Sequence, residues 1–266
     1  TVLVLPSGSR PSRLALSRFQ RCWLRSPIGS TRNHFVRIKK MKPTLFVVLD
    51  IETTLKKRIA FDVAWTITDR KGGEFGSGSY VIRDAFRADV PFFKEKLGHY
   101  FDDTFNRQIT PASIVEVRDI FNEQINALAD AGHRVVLTAY NARFDFTWLP
   151  HTLRELTGDK NAKFLDRPFD LLDIWAFWGA SVPKCYTAEK TPSGKFLSTS
   201  AESAFRFENQ EPDFVERHIA WHDVQIEKQI LLKALARKKP MQIVRKPSDL
   251  PSMVWKNINE RLGVAA

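Results

Sequence analysis

The sequence predicts a mixed α/β domain in which helices flank one sheet, and three observations carry that reading. Residues 45–51 (LFVVLDI) form an apolar run dense enough for a strand buried on both faces. Segments of alternating character on either side of the turn cluster DRKGG come next. Apolar residues then recur at helical spacing, interrupted by a second short buried strand, RVVLTAY. Three strands followed by helix–strand–helix place the helices against a single sheet.

The segment IAFDVAWTITD alternates Phe61, Val63, Trp65 and Ile67 with smaller or polar residues, which predicts a half-buried second strand. EFGSGSYVIRD returns as a third, so the first three strands read as an antiparallel meander. Residues 86–106, rich in aromatics, read as a helix and loop. The next helix opens on a Thr110–Pro111 start signal, lines up Ile114, Val117, Phe121, Ile125 and Leu128, and stops at Gly132. RVVLTAY runs straight into a helix through NARFDFTWLPHTLREL. An extended piece is expected at residues 163–165, and a helix in LLDIWAFW. Residues 183–198 read as an excursion turning at Pro192, Ser193 and Gly194. Thr199 and Glu202 fit a capping box ahead of AESAFRF. A long last helix covers DVQIEKQILLKALARK, and Pro240 ends it.

Charge separates the chain into unequal parts. The net charge is +11, but residues 1–42 hold ten Lys or Arg and no acid, leaving 31 basic against 30 acidic residues over 43–266. Global charge is therefore no evidence that the folded part binds nucleic acid; local patches would have to do so. The basic extension 1–42 has three competing readings: an Arg-rich organellar transit peptide, a disordered arm for nucleic acid, or sequence upstream of a start at Met41, which is favoured. A domain over 43–240 and a tail over 241–266 complete the expected organisation. Cys22 and Cys185 have no metal-ligand spacing, so a cytoplasmic setting is expected. No apolar run reaches the roughly 18 residues of a membrane span.

Three segments carry acids that the topology could bring together. Asp50 and Glu52, two apart at the end of the first strand, leave it on one side. Asn141 and Asp145 stand where RVVLTAY passes into a helix, and His218 and Asp223 at the start of the last one. Each has a bland reading: Asn141 as a cap, Asp145 and Asp223 as acids favoured by a helix N-terminus, His218 as an ordinary histidine. Asp50 and Glu52 resist one, because paired charges on a buried strand are costly without a cation or a proton. Four carboxylates without a cysteine cluster make a hard-oxygen set suited to Mg²⁺ or Mn²⁺. Two such ions stabilise both oxygens of a phosphodiester displacement, with a histidine to take the proton from water.

LDIETT, NARFD and HIAWHD resemble the three motifs of the DEDDh family of 3′–5′ exonucleases, which includes the proofreading subunits of bacterial replicative polymerases. Asp50 and Glu52 match D-x-E, Asn141 and Asp145 match N-x-x-x-D, and His218, Ala220 and Asp223 match H-x-A-x-x-D. Ile219 excludes the sister group whose third motif is Y-x-x-x-D. The resemblance implies an RNase H-like mixed sheet flanked by helices. It implies one metal ion on Asp50, Glu52 and Asp223, a second on Asp50 and Asp145, and His218 as general base. It further implies a monomer acting on a free 3′ end, single-stranded DNA above all, in replication or repair beside a DNA polymerase, or as a phage-encoded enzyme. Thr53, Thr54, Leu55 and Asn141 are candidate substrate-contacting positions; Phe144 has two readings, stacking on a base as aromatics do in single-strand binding and, at equal weight or more, core packing. Two departures stand out. Leu55 and Lys56 replace the Gly and apolar wedge usual after D-x-E-T-T, and Tyr140 stands where His is common. His222, beside Asp223, reads as structural, as do Trp148, Trp175 and Trp178.

VVLDIETT also mimics the opening of haloacid dehalogenase-like phosphatases, with Thr138 in a following strand, but that reading leaves HIAWHD unexplained. A binding-only module would typically have lost an acid. An exoribonuclease of the same family is the nearer alternative, because nothing in the sequence reads the 2′-hydroxyl.

Overall fold

The computed structural model describes residues 42–86, 110–183, 186, 190–191 and 193–251. The basic extension and, apart from Phe86, the helix and loop expected at 86–106 lie outside the described residues. Strand β1 (Thr44–Thr53) occupies the middle of a six-stranded sheet ordered β4-β3-β2-β1-β5-β6. It pairs antiparallel with β2 (Ala60–Asp69), which pairs antiparallel with β3 (Glu74–Ile82), forming the expected meander. Asp69 Oδ1 accepts from the N–H groups of Lys71 and Gly73, tightening the turn between β2 and β3. On the other side β5 (Arg134–Ala139) runs parallel to β1, and β6 (Asp170–Asp173) parallel to β5. The edge strand β4 (Thr110–Ala112) lies parallel to β3.

Helices cover both faces. After the single turn α1 (Arg83–Phe86) come α2 (Ile114–Asp130), α3 (Ala142–Thr157), α4 (Ile174–Ser181), α5 (Ala201–Asn209) and α6 (Ala220–Ala236). Leu45, Val47, Leu49 and Ile51 join a core with residues of α2 and α3, including Phe121 and Leu149. Phe46 and Val48 point the other way, into a core with Trp178, Val224 and Ile230 of α4 and α6. The two-residue period of the strand carries Asp50 and Glu52 onto this α6 side.

Several expectations are corrected. Strand β2 is buried on both faces rather than half-buried: α6 crosses it, and Asp62, Ala64, Thr66 and Thr68 are small enough to admit a helix. Ser113, not Thr110, caps α2 and exchanges hydrogen bonds with Glu116 as a capping box. Thr110 and Pro111 belong to β4, where an edge strand tolerates proline. Residues 163–165 form no strand. The strand is DLLD, drawn out of its helical pattern by pairing Leu137 with Leu171 and Thr138 with Leu172, so α4 starts only at Ile174.

Ser200, not Thr199, caps α5, accepting from the N–H of Ser203. Thr199 is buried instead, its hydroxyl accepting from Trp175 Nε1 and its carbonyl from the Tyr140 hydroxyl. Helix α6 stops at Ala236, four residues before Pro240, with Lys238 in the left-handed region. Lys190 and Leu197 bridge antiparallel around a turn containing Gly194 at φ +69°, as the expected excursion requires, although Pro192 lies outside the described residues. Beyond α6 the chain returns to the sheet: Val244 bridges Leu171, and Leu250 is buried.

Candidate active site

Asp50 and Glu52 end β1 where its pairing with β5 has already stopped, at Val48 and Thr138. A parallel strand that ends early leaves backbone groups unpaired at the mouth of the sheet. Asp145, in the first turn of α3, fills one such gap: its Oδ1 accepts from the N–H of Ile51 at 3.2 Å. The N-terminus of α3 is satisfied from outside, because Asp173 Oδ2 accepts from the N–H of Ala142. Asn141, at the N-cap position, makes no capping hydrogen bond, which leaves its amide uncommitted to the helix.

Helix α6 supplies the third group. Ile219 offers it no side-chain cap. Asp62, fully buried on β2 and paired across the ladder with Glu52, reaches over and accepts from the N–H of Ala220 at 3.1 Å. That bond sets the helix start against β1 and β2, with Asp223 buried in its first turn. His218 precedes the helix at φ +51°, an uncommon backbone state for a residue with a Cβ. Its ring is mostly exposed, with Nδ1 4.0 Å from Glu52 Oε1. Glu52, His218 and Asp223 each present a ligand atom, all within 4.8 Å of one another.

Electrostatics bind Asp50 and Asp145 to the same cluster. The Asp50 carboxyl is pushed well above the usual carboxylate range, first by burial and then by the charges of Glu227, Asp223, Asp145 and Glu52. Burial also pushes Asp145 well up, against the pull of backbone N–H groups including that of Ile51, with Asp173 and Glu52 adding to the rise. Asp50 Oδ2 is buried without a hydrogen-bond partner. A bare carboxylate oxygen among like charges calls for a proton or a cation. The donors are hard oxygens with one imidazole, a set that fits Mg²⁺ or Mn²⁺ better than soft-ligand metals.

The remaining expected residues lie around this mouth. Thr53 and Thr54 are buried, and the Thr54 hydroxyl accepts from the N–H of Ile59. Leu55 is 68% exposed. Phe144 is half-buried on α3, between Arg58 and Trp148. Trp175 and Trp178 are buried core residues, Trp148 packs at the core's edge, and His222 is half-buried on α6.

Sequence reasoning missed three buried acids. Glu227 lies one turn beyond Asp223, accepts from the N–H of Tyr140 and is pushed well up by burial and by the charges of Asp145, Asp223 and Glu216. Its signal was available: positions 220, 223, 224, 227, 230, 231 and 234 form one buried stripe, and Glu227 is a charge within it. Asp62 carried no such mark, since its partner is the start of a distant helix, whereas Asp173 caps its own helix α4 through the N–H of Ala176 and reaches the distant start of α3 as well.

Among solved structures, the nuclease domain of 3′hExo, a DEDDh family member bound to rAMP, matches with a TM-score of 0.50 and 12% identity, over 77% of this chain and 98% of that one. Exonuclease X in complex with 5′ overhanging duplex DNA matches at 0.41 and 14%, over 72% and 91%. E. coli Exonuclease I in complex with a dT13 oligonucleotide matches at 0.43 and 13%, over 73% of this chain and 40% of that one. No family model matches the chain, and neither does any curated protein. The fold assignment rests on the first: the chain has the fold of a DEDDh nuclease domain, the expected RNase H-like mixed sheet flanked by helices.

Proposed function

We propose that this chain is a metal-dependent 3′–5′ exonuclease that hydrolyses the terminal phosphodiester of DNA and releases nucleoside 5′-monophosphates. The observation that carries the reading is Asp50 Oδ2, buried and bare among Glu52, Asp145, Asp223 and Glu227. In this reading Asp50, Glu52 and Asp223 hold one Mg²⁺ or Mn²⁺, and Asp50 and Asp145 a second. Such ions, when bound, polarise the phosphoryl oxygens and stabilise the attacking and leaving oxygens.

The chain's own groups do the rest. His218 turns Nδ1 toward Glu52, so Nε2 takes the proton from the attacking water, and the exposed ring returns it to solvent. Asp145 receives the Ile51 N–H and holds the end of β1 in register with α3. Asp62 does the same for α6. Thr53, Thr54, Leu55, Asn141 and Phe144 hold the terminal nucleotide, with the Phe144 ring offered to a base. All these groups come from one chain, so a single copy suffices. RNA is the second reading, because the 3′hExo domain, which shares this fold, was captured with rAMP.

The test uses 5′-labelled single-stranded DNA, duplex DNA and RNA, with Mg²⁺ or Mn²⁺, and the wild type beside Asp50→Ala and His218→Ala. Stepwise shortening from the 3′ end is expected. His218→Ala should lose on the order of 100-fold or more in rate. Absence of shortening with either metal, or an Asp50→Ala variant as active as wild type, would refute the proposal.

A further inference from the structure

The loop between β1 and β2 carries three consecutive cations, Lys56, Lys57 and Arg58, two to four residues beyond Thr54 at the mouth of the carboxylate cluster. All three are exposed, and among the described residues none of them makes an ion pair. The opposite end of the sheet shows the usual alternative: there Lys228 and Arg134 are paired with Glu74 and Asp170. A basic run without an ion-pair partner among the described residues thus stands beside the cluster of Asp50, Glu52, Asp145, Asp223 and Glu227, of which the last three are buried. A polyanion approaching those acids is repelled unless cations meet it first.

The loop is also held in shape. Thr54 closes it from inside: its N–H donates to Ile59 O at 2.9 Å, its carbonyl accepts from Arg58 N–H at 3.1 Å, and its buried hydroxyl accepts from Ile59 N–H at 3.2 Å. Arg58 takes the left-handed conformation that this tight closure requires, at φ +54°. Helix α3 fixes it from outside. His151 Nε2 lies 3.2 Å from Lys57 O, and the Arg58 guanidinium stands 5.9 Å over the Phe144 ring, one residue before Asp145. A cleft of about 340 Å³ runs beneath the loop, lined by Thr54, Lys56, Lys57, Ile59 and Glu155. Both lysines line that cleft and are exposed.

We infer that Lys56 and Lys57 form a phosphate-binding lip that grips the single strand upstream of the bond being cleaved. Arg58, stacked on Phe144, is a positioning residue that ties the lip to the helix bearing Asp145. The ligand is a single-stranded oligonucleotide longer than the terminal nucleotide, recognised through its backbone and not through its bases. This inference rests on the nuclease reading for the identity of the strand, but the grip itself is a binding property and needs no turnover.

The experiment measures binding of a fluorescein-labelled dT oligonucleotide by anisotropy across a series of NaCl concentrations, on the full chain with EDTA present to prevent cleavage. For single strands each phosphate contact contributes roughly 0.7 to the slope of log K against log salt. The double variant Lys56→Ala/Lys57→Ala should therefore have a slope shallower by about 1.4, with Lys56→Arg/Lys57→Arg restoring it. Lys71→Ala, in the exposed turn at the far end of the sheet, controls for the loss of charge and keeps the wild-type slope. An unchanged slope in the double variant, or an equal fall in Lys71→Ala, overturns the lip. Salt-dependent binding through the two lysines by a chain that shortens no 3′ end would keep the lip and sink the exonuclease.

Discussion

Asp145 Oδ1 accepts a hydrogen bond from the N–H of Ile51, the residue between Asp50 and Glu52. A side chain 94 residues away thus replaces the ladder bond that β5, already ended, does not make. The carboxylate holds the end of β1 in place and also adds a charge to a crowded cluster, and two substitutions separate these effects. Asp145→Asn keeps an acceptor and removes the charge; Asp145→Ala leaves the Ile51 N–H without its partner. In urea unfolding with EDTA, the Ala variant should be less stable than the Asn variant by about 1–3 kcal/mol. Both should lose the proposed exonuclease activity. Equal stabilities would mean that the bond to Ile51 contributes nothing.

Asp173 gives the metal-free protein an unusual pH dependence. Burial raises its carboxyl from 3.8 to about 7, despite hydrogen bonds from the N–H groups of Ala176 and Ala142. Between those values the folded chain holds a proton that the unfolded chain has released. Stability therefore falls as pH rises from about 4 through about 7, the reverse of ordinary acid denaturation. Asp50, Asp145 and Glu227 shift in the same direction. With EDTA, the melting temperature should be higher at pH 5.5 than at pH 7.5, and Asp173→Asn should flatten part of that difference. A wild-type melting temperature that rises with pH over this window contradicts the assignment.

Asp62 caps α6 from the neighbouring strand, so its removal acts on both stability and chemistry. Asp62→Ala leaves the Ala220 N–H without that acceptor and should cost about 1–2 kcal/mol in denaturant unfolding. It also loosens the helix start that presents His218 and Asp223, so kcat should fall. Asp62→Asn, which keeps an acceptor, should recover most of the stability. The cap is refuted if the Ala variant unfolds at the wild-type midpoint.

Gly78 is required by a ring, not by a turn. It stands opposite Trp65 across the β2–β3 ladder, and a Cβ there would come within 2.3 Å of the indole. Trp65 cannot yield easily: it stacks on Tyr80 at 5.3 Å, meets Phe121 edge-on and donates from Nε1 to Gln124. Gly78→Ala should destabilise the domain by about 1–3 kcal/mol through overpacking, read as a lower melting temperature. A melting temperature equal to wild type would show that the sheet relaxes around the methyl.

The architecture was legible where burial and periodicity coincide. The run LFVVLDI has room for only one position, the centre of a sheet, and the helical stripe from Ile114 to Ile125 can only lie on a face. Failures fell where a partner overrides local pattern. DLLD carries helical neighbours, yet the open edge of β5 draws it into a strand. Thr199 has the chemistry of a cap but is recruited by Trp175 and Tyr140, leaving the role to Ser200.

For the candidate site, spacing within the sequence determined which side of β1 Asp50 and Glu52 leave, because a strand repeats every two residues. It also placed His218 in the loop ahead of the helix carrying Asp223. Only the tertiary structure decided that these segments meet. It decided too that Glu227 and Asp62 stand among them. Periodicity acts over a few residues along one element, whereas the bonds from Asp145 to Ile51 and from Asp62 to Ala220 join atoms 94 and 158 residues apart. No local rule reaches across such a distance; packing around a shared core does.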